Sequence, residues 1–229
     1  MKLSFSLSAA TGTQPSRIDV DIDNCIIAGW AGRDREAIEH HIDELADLGV
    51  ARPSSVPLFY RVAANQLCQQ DRVQVVGDAS SGEAEAFLFA HQDRLFVSLA
   101  SDHTDRKLEA HSVALSKQVC VKPVARDAWT YDSVADHWDA LVLRAWIEEN
   151  GNTVLYQEGD MAQLLAPLDL ARSHFDREML PDGYGMTCGT VAALGGIRAA
   201  RGFIMELHDP VMDRRIRHRY TLDILPEVA

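Results

Sequence analysis

Cysteine is scarce in this chain of 229 residues, and the four present (Cys25, Cys68, Cys120 and Cys188) show no Cys-x-x-Cys spacing. That pattern offers no thiolate metal cluster and no redox pair, and free buried thiols in a reducing cytoplasm are the expectation. Long apolar runs are missing as well: no window reaches the roughly 20 apolar residues that a bilayer-spanning helix needs. The opening segment alternates Leu3, Phe5 and Leu7 as a strand does and lacks the continuous apolar stretch of a secretory leader. Positive charge is in short supply too, with 22 Lys and Arg against 34 Asp and Glu, a net charge of -12 and a pI near 5.1. Such a surface repels phosphate backbones and anionic lipid, so neither nucleic acid nor membrane is an expected partner. The one basic run, Arg214 to Arg219, alternates charged and apolar residues and reads as the solvated face of a strand.

What is present is ordinary globular material: 47% hydrophobic and 24% charged residues, enough to bury a core and too apolar for wholesale disorder. One main domain is expected, with a small N-terminal region over residues 1-65 and a second, larger region over 66-229. Two strands are predicted within residues 1 to 30, around a polar turn at Thr11 to Ser16. Ile38, Ile42, Leu45 and Leu48 recur at helical spacing between Arg33 and Gly49, with Pro53 as a breaker beyond. From Val73 the pattern turns to short strands: Val73 to Val76, Glu83 to Ala90, and Leu95 to Ala100, separated by Gly, Ser and His-Gln-Asp turns. Asn150-Gly151 is a strong hairpin signal between Leu141–Ile147 and Thr153–Gln157. A helix is predicted from Met161 to Ser173, then strands at Met186 to Thr190 and Phe203 to His208.

Glu83 and Glu85 stand two apart in an apolar run, so as a strand they project from one face. Asp102 closes the next run, and a hairpin would carry it back toward the pair. Three carboxylates with no accompanying Cys or His favour a hard cation, Mg²⁺ or Mn²⁺, over Zn²⁺. On spacing alone, the solvent face of an amphipathic strand is how most Glu-x-Glu pairs arise.

A larger pattern bears on the choice, because residues 28 to 222 resemble the fumarylacetoacetate hydrolase superfamily. In that superfamily a Glu-x-Glu pair precedes Asn-Asp-x-Ser/Thr-x-Arg, and here Ser101-Asp102-His103-Thr104-Asp105-Arg106 keeps the Asp, Thr and Arg while Ser replaces Asn. Lys117, in Ser116-Lys117-Gln118 running to Pro123 and Trp129, matches the family's lysine. Gln157-Glu158-Gly159-Asp160-Met161 and Leu180-Pro181-Asp182-Gly183 through Gly189-Thr190 match downstream motifs, with Val191 and Ala193 where Pro and Gly are usual. The lid segment's His-x-x-Glu looks like His41 and Glu44, and Tyr60-Arg61 stands where the family has a lysine after Phe59.

The resemblance implies a mixed α/β, β-rich fold, a fumarylacetoacetate-hydrolase-like β-roll with few helices, commonly a homodimer and cytoplasmic. It implies Mg²⁺ or Mn²⁺ on Glu83, Glu85 and Asp102, with Lys117 and Arg106 near developing negative charge. Gly189 and Thr190 with Arg61 would bind a small carboxylic-acid substrate, and His41 with Glu44 would activate water. The leading expectation is a hydrolase that cleaves a C–C bond of an acylpyruvate-like or 1,3-dicarbonyl acid through a metal-held enolate. The same enolate serves a lyase (decarboxylase, hydratase or dehydratase) on a small 2-oxo acid, and a noncatalytic carboxylate-binding protein on the same fold is the reading from a different class.

Overall fold

The protein's three-dimensional structure, a computed structural model, describes residues 1–7, 16–47, 52–177 and 179–228. It is a β-rich roll with few helices, as expected. Eight strands form a curled sheet in the order Ser16–Asp21, Lys2–Leu7, Asp127–Thr130, Arg94–Ser101, Ala84–His91, Tyr184–Thr187, Asn24–Gly29, Leu58–Val62. Five more make a second sheet in the order Asn152–Asp160, Val142–Glu149, Gly202–Asp209, Arg214–Leu225, Arg72–Val76. Strands from before residue 65 are therefore hydrogen-bonded into the same sheet as strands that follow it, and the sheet has no break at that point.

The Ala84–His91 strand sits near the middle and is buried on both sides. Ala84, Ala86, Leu88 and Ala90 face a core shared with Leu143, Ala145, Met205 and Leu207 of the smaller sheet. Phe87 and Phe89 face the opposite core, with Phe5, Ile22, Ile27 and Phe96. Two-sided burial explains why the strand reads as a nearly continuous apolar run, against which Glu85 stands out. Phe89 is the hub of its side, with ring centroids 4.3 Å from Phe5, 5.4 Å from Phe96 and 6.0 Å from Phe87.

The Arg214–Leu225 strand exposes Arg215, Arg217 and Arg219 and buries Ile216, His218 and Tyr220, so the basic run is a strand face. The Asn150-Gly151 turn, with φ of 50° and 78°, joins Val142–Glu149 to Asn152–Asp160. Two expectations are corrected. The single helix from Met161 to Ser173 is a short 3-10 turn, Met161–Gln163, followed by a separate helix, Pro167–Phe175, because Pro167 has no N–H to continue a helix and starts a new one instead. The N-terminal part holds a third strand, Asn24–Gly29, which pairs in parallel with Tyr184–Thr187. The helix Arg35–Asp47 begins after Asp34, whose carboxylate accepts from the Ala37 N–H at 3.0 Å as a cap does. The turn expected at Thr11 to Ser16 and the helix stop at Gly49 lie outside the described residues, Ser16 excepted.

Truncating the aromatic hub tests this packing: Phe89→Ala is expected to lower unfolding free energy by about 3–5 kcal/mol in urea titrations. A loss below about 1 kcal/mol would show that the stacked cluster is not formed.

Candidate metal centre

The hairpin that builds the centre turns at Gln92-Asp93, whose φ values of 53° and 57° give the primed turn that matches strand twist. This turn sets Ala84 opposite Ser101. One step further along, the Asp102 N–H donates to the Glu83 carbonyl at 2.9 Å, and the Glu83 N–H to the Ser101 hydroxyl at 3.2 Å. Glu83 and Glu85, two apart, share the side on which Asp102 arrives. One oxygen from each of the three carboxylates lies within 4.8 Å of the others. Asp102 is wholly buried, Glu85 is 3% exposed, and Glu83 is half-buried at the wall of a cavity of about 1200 Å³ that all three line.

Three cationic side chains crowd this cluster. Lys117 donates to Asp102 Oδ2 at 2.5 Å and stands 3.8 Å from Glu83. Lys122, with no exposed surface, lies 3.0 Å from Asp102 Oδ1 and donates to the His103 carbonyl at 2.5 Å. Arg106 lies 3.0 Å from Glu83, bonds Ser81 at 2.7 Å and pairs with Glu109 at 2.9 Å. Burial works against the Asp102 charge, but Lys117 and Lys122 outweigh it and hold the carboxyl at about 2. Glu85 goes the other way: burial first, then the charges of Asp102 and Glu83, push it well above the usual carboxylate range. Burial alone would lower Lys117, yet Asp102 and Glu83 hold it well above its ordinary value, which favours its protonated form.

The donor set fits a hard divalent cation. Among the described residues every ligand candidate is a carboxylate oxygen, with no thiol or imidazole beside them, and buried Asp102 Oδ1, 3.0 Å from Lys122, makes no hydrogen bond. A dication would also offset the burial, and the charges of Asp102 and Glu83, that raise Glu85. His103, despite its place beside Asp102, is no ligand candidate: it is buried between Tyr220 and Ser80, each at 2.9 Å, and burial followed by Lys122 and Arg106 draws it down to about 3.

Gly189 and Thr190 close one wall. The Gly189 N–H donates to Glu85 at 2.7 Å, and its φ of 89° together with Ala31, 2.8 Å from where a Cβ would stand, accounts for glycine here. Thr190 donates its hydroxyl proton to the Ala84 carbonyl at 2.7 Å and accepts from Gln157 at 2.8 Å, so that proton is already committed. Gln157, 2% exposed, ties the wall together, accepting from the Ala84 N–H at 3.0 Å and donating also to the Val191 carbonyl at 2.7 Å.

Glu83, Glu85, Asp102, Arg106, Lys117, Gly189 and Thr190 therefore line one cavity. Arg61 does not join them. It is exposed, bonds Asn24 at 2.6 Å and lies 6.0 Å from the Tyr184 ring centre, while its neighbour Tyr60 lines the cavity from the other face of the Leu58–Val62 strand. Alternation along that strand is the reason, and the expectation for Arg61 is corrected. His41 and Glu44 sit on the helix Arg35–Asp47, whose Ala37 and Ile38 line the cavity, but their side chains lie outside the described residues. Sequence reading assigned no role to Lys122; its only signal is a lysine inside the apolar stretch from Val119 to Val124.

The curled β-roll has known counterparts. The structure of 2-keto-3-deoxyarabinonate dehydratase superimposes with a TM-score of 0.63 at 14% identity, covering 90% of this chain and 75% of that one. The same scores and coverage hold for a 2-keto-3-deoxy-D-arabinonate dehydratase complexed with magnesium and 2,5-dioxopentanoate. A 2-hydroxyhepta-2,4-diene-1,7-dioate isomerase from Mycobacterium marinum gives a TM-score of 0.57 at 14% identity over 92% of this chain and 77% of that one. At such identities the likeness speaks for the fold, which is fumarylacetoacetate-hydrolase-like. No curated protein sequence matches the chain. A family model described as "Protein of unknown function (DUF2848)" matches residues 28–220, from the strand before the helix Arg35–Asp47 to the last strand of the smaller sheet, and the chain belongs to that family.

Proposed function

We propose that this chain is a Mg²⁺- or Mn²⁺-dependent enzyme of the fumarylacetoacetate hydrolase superfamily that acts on a small 2-oxo acid by way of its enolate. The observation that carries the reading is the carboxylate triad opening onto the cavity with two cations, Lys117 and Arg106, at its edge. Glu83, Glu85 and Asp102 would hold a divalent ion, which would supply Lewis-acid polarisation of a keto oxygen and compensate enolate charge. Lys117 adds a protonated ammonium at a fixed place, held by Asp102, and Arg106, 3.0 Å away, orients Glu83. Gln157 and the Gly189 N–H fix the wall against which the acid lies.

Cleavage of a C–C bond in an acylpyruvate-like acid requires in addition a water and a base, and His41 with Glu44 is our assignment for it. A lyase reaction, dehydration above all, needs no such water, and the dehydratase named in two structures of like fold favours it as the second reading. Turnover of a panel of acylpyruvates, oxaloacetate and 2-oxo-3-deoxy sugar acids, with and without Mn²⁺, separates the two. Metal-dependent loss of at least one acid is expected, at least 100-fold slower in Glu85→Gln; for hydrolysis, His41→Ala is expected to lose about 10²- to 10⁴-fold with metal binding intact. Metal-independent turnover, or full turnover by Glu85→Gln, would contradict the reading.

Glu85 also gives the metal-free protein a pH signature. A carboxyl raised in the folded state above its ordinary 4.5 contributes stability that is full below that value and is lost as pH rises through the raised one. In chelator, the melting temperature is expected to rise as pH falls from 8 toward 5, and Glu85→Gln to remove that part of the rise. Below about 3.8 the sign reverses, because Asp102, lowered to about 2, loses its contribution as it protonates. With excess Mg²⁺ the melting temperature at pH 8 is expected to increase in wild type and not in Glu85→Gln; an equal increase in both would place the ion elsewhere.

A further inference from the structure

Beyond the carboxylate cluster, the lining of the cavity is largely apolar, with Trp30, Ile38, Tyr60, Val113, Leu164 and Ile197 among its walls. Charge accounting narrows what it can hold. The cations that line it among the described residues are Arg33, Arg106 and Lys117, and each already has a carboxylate partner. Arg33 spends both terminal nitrogens on Asp139, each at 2.8 Å, and its Nε on the Leu164 carbonyl at 3.1 Å. Arg106 is divided between Glu83 and Glu109, and Lys117 is taken by Asp102. Asp34 and Glu109 line the cavity as well, so acidic lining residues outnumber basic ones by five to three. A cation on the triad compensates one carboxylate of a substrate, and a second carboxylate on its tail would meet no unpaired Lys or Arg among the described lining residues and would be desolvated against like charge. A polyhydroxylated tail fares little better: Gln157 and Thr190 are bonded to each other and to backbone, so they offer few donors to hydroxyl groups.

We infer that the acid handled here is a monocarboxylate whose 2-oxo head faces the triad and whose tail is an apolar chain or ring packed against Trp30, Ile38, Val113 and Ile197. This rests on the metal-dependent 2-oxo acid reading above, and it adds the tail chemistry that selects among such acids. Ile197 is 57% exposed, an unpaid apolar surface on the wall that a hydrocarbon tail would cover.

Oxamate, whose –NH–CO–COO⁻ unit mimics a 2-oxo acid and does not react, carries the test. Calorimetric titration of the Mg²⁺-loaded protein would compare oxamate, N-propyloxamate and N-(3-carboxypropyl)oxamate. Each buried methylene is expected to tighten binding about fourfold, so N-propyloxamate should bind about sixtyfold more tightly than oxamate, and the carboxylated tail at least about tenfold more weakly than N-propyl. Ile197→Arg, on an exposed position that need not disturb folding, is expected to reverse the order of the two tailed probes. Oxamate binding that depends on Mg²⁺, with the carboxylated probe equal to or better than N-propyl in wild type, would overturn the tail inference and leave the metal reading standing. Absence of any Mg²⁺-dependent oxamate binding would overturn both.

Discussion

Repulsion among Glu83, Glu85 and Asp102 is the constraint around which the rest of this structure is arranged. Three carboxylates with oxygens within 4.8 Å of one another, two of them buried, cannot all be ionised without close positive charge. The chain provides Lys117 and Lys122 for Asp102 and Arg106 for Glu83, and leaves Glu85 with a backbone N–H from Gly189 and, among the described residues, no cation of its own within bonding distance. The imbalance settles on Glu85, whose carboxyl is pushed well above the usual range by burial first and then by the charges of Asp102 and Glu83, a strain that a bound dication would relieve. A cluster of this kind is destabilising as a structural device, and its presence at the wall of a large cavity gives it the character of a binding site.

The scaffold is stiff where the cluster needs it to be. Register is fixed by the two-residue turn at Gln92-Asp93, and the Ala84–His91 strand is clamped between two apolar cores, so a slip of one residue would drive Glu85 into the side occupied by Leu88 and Ala90. The aromatic cluster around Phe89 and the buried side chain of Gln157 act on the same strand from opposite faces. Precision at the triad thus derives from packing and hydrogen bonding that extend well beyond it.

Much of this was legible in the residues, for identifiable reasons. Period-two spacing placed Glu83 and Glu85 on one face, and the His-Gln-Asp and Asn-Gly turns marked both hairpins, because tight turns leave strong local signals. What failed was information carried by distant partners. The Asn24–Gly29 strand pairs in parallel with Tyr184–Thr187, some 160 residues away, and nothing in its own neighbourhood announces it. Arg61 was chosen by its charge, whereas the parity of its strand gives the cavity to Tyr60. Lys122 has no assignment from the sequence, since only the fold shows it with no exposed surface beside Asp102. The resemblance identified the triad because its motifs span both arms of the hairpin, a coincidence that the spacing of two glutamates alone does not reach.

An anomalous difference map from crystals grown with Mn²⁺ addresses the triad most directly. The arrangement of Glu83, Glu85 and Asp102 requires one peak per chain among them, about 2.0–2.3 Å from an oxygen of each. A map with no peak there, or with the ion held by other residues, would contradict it.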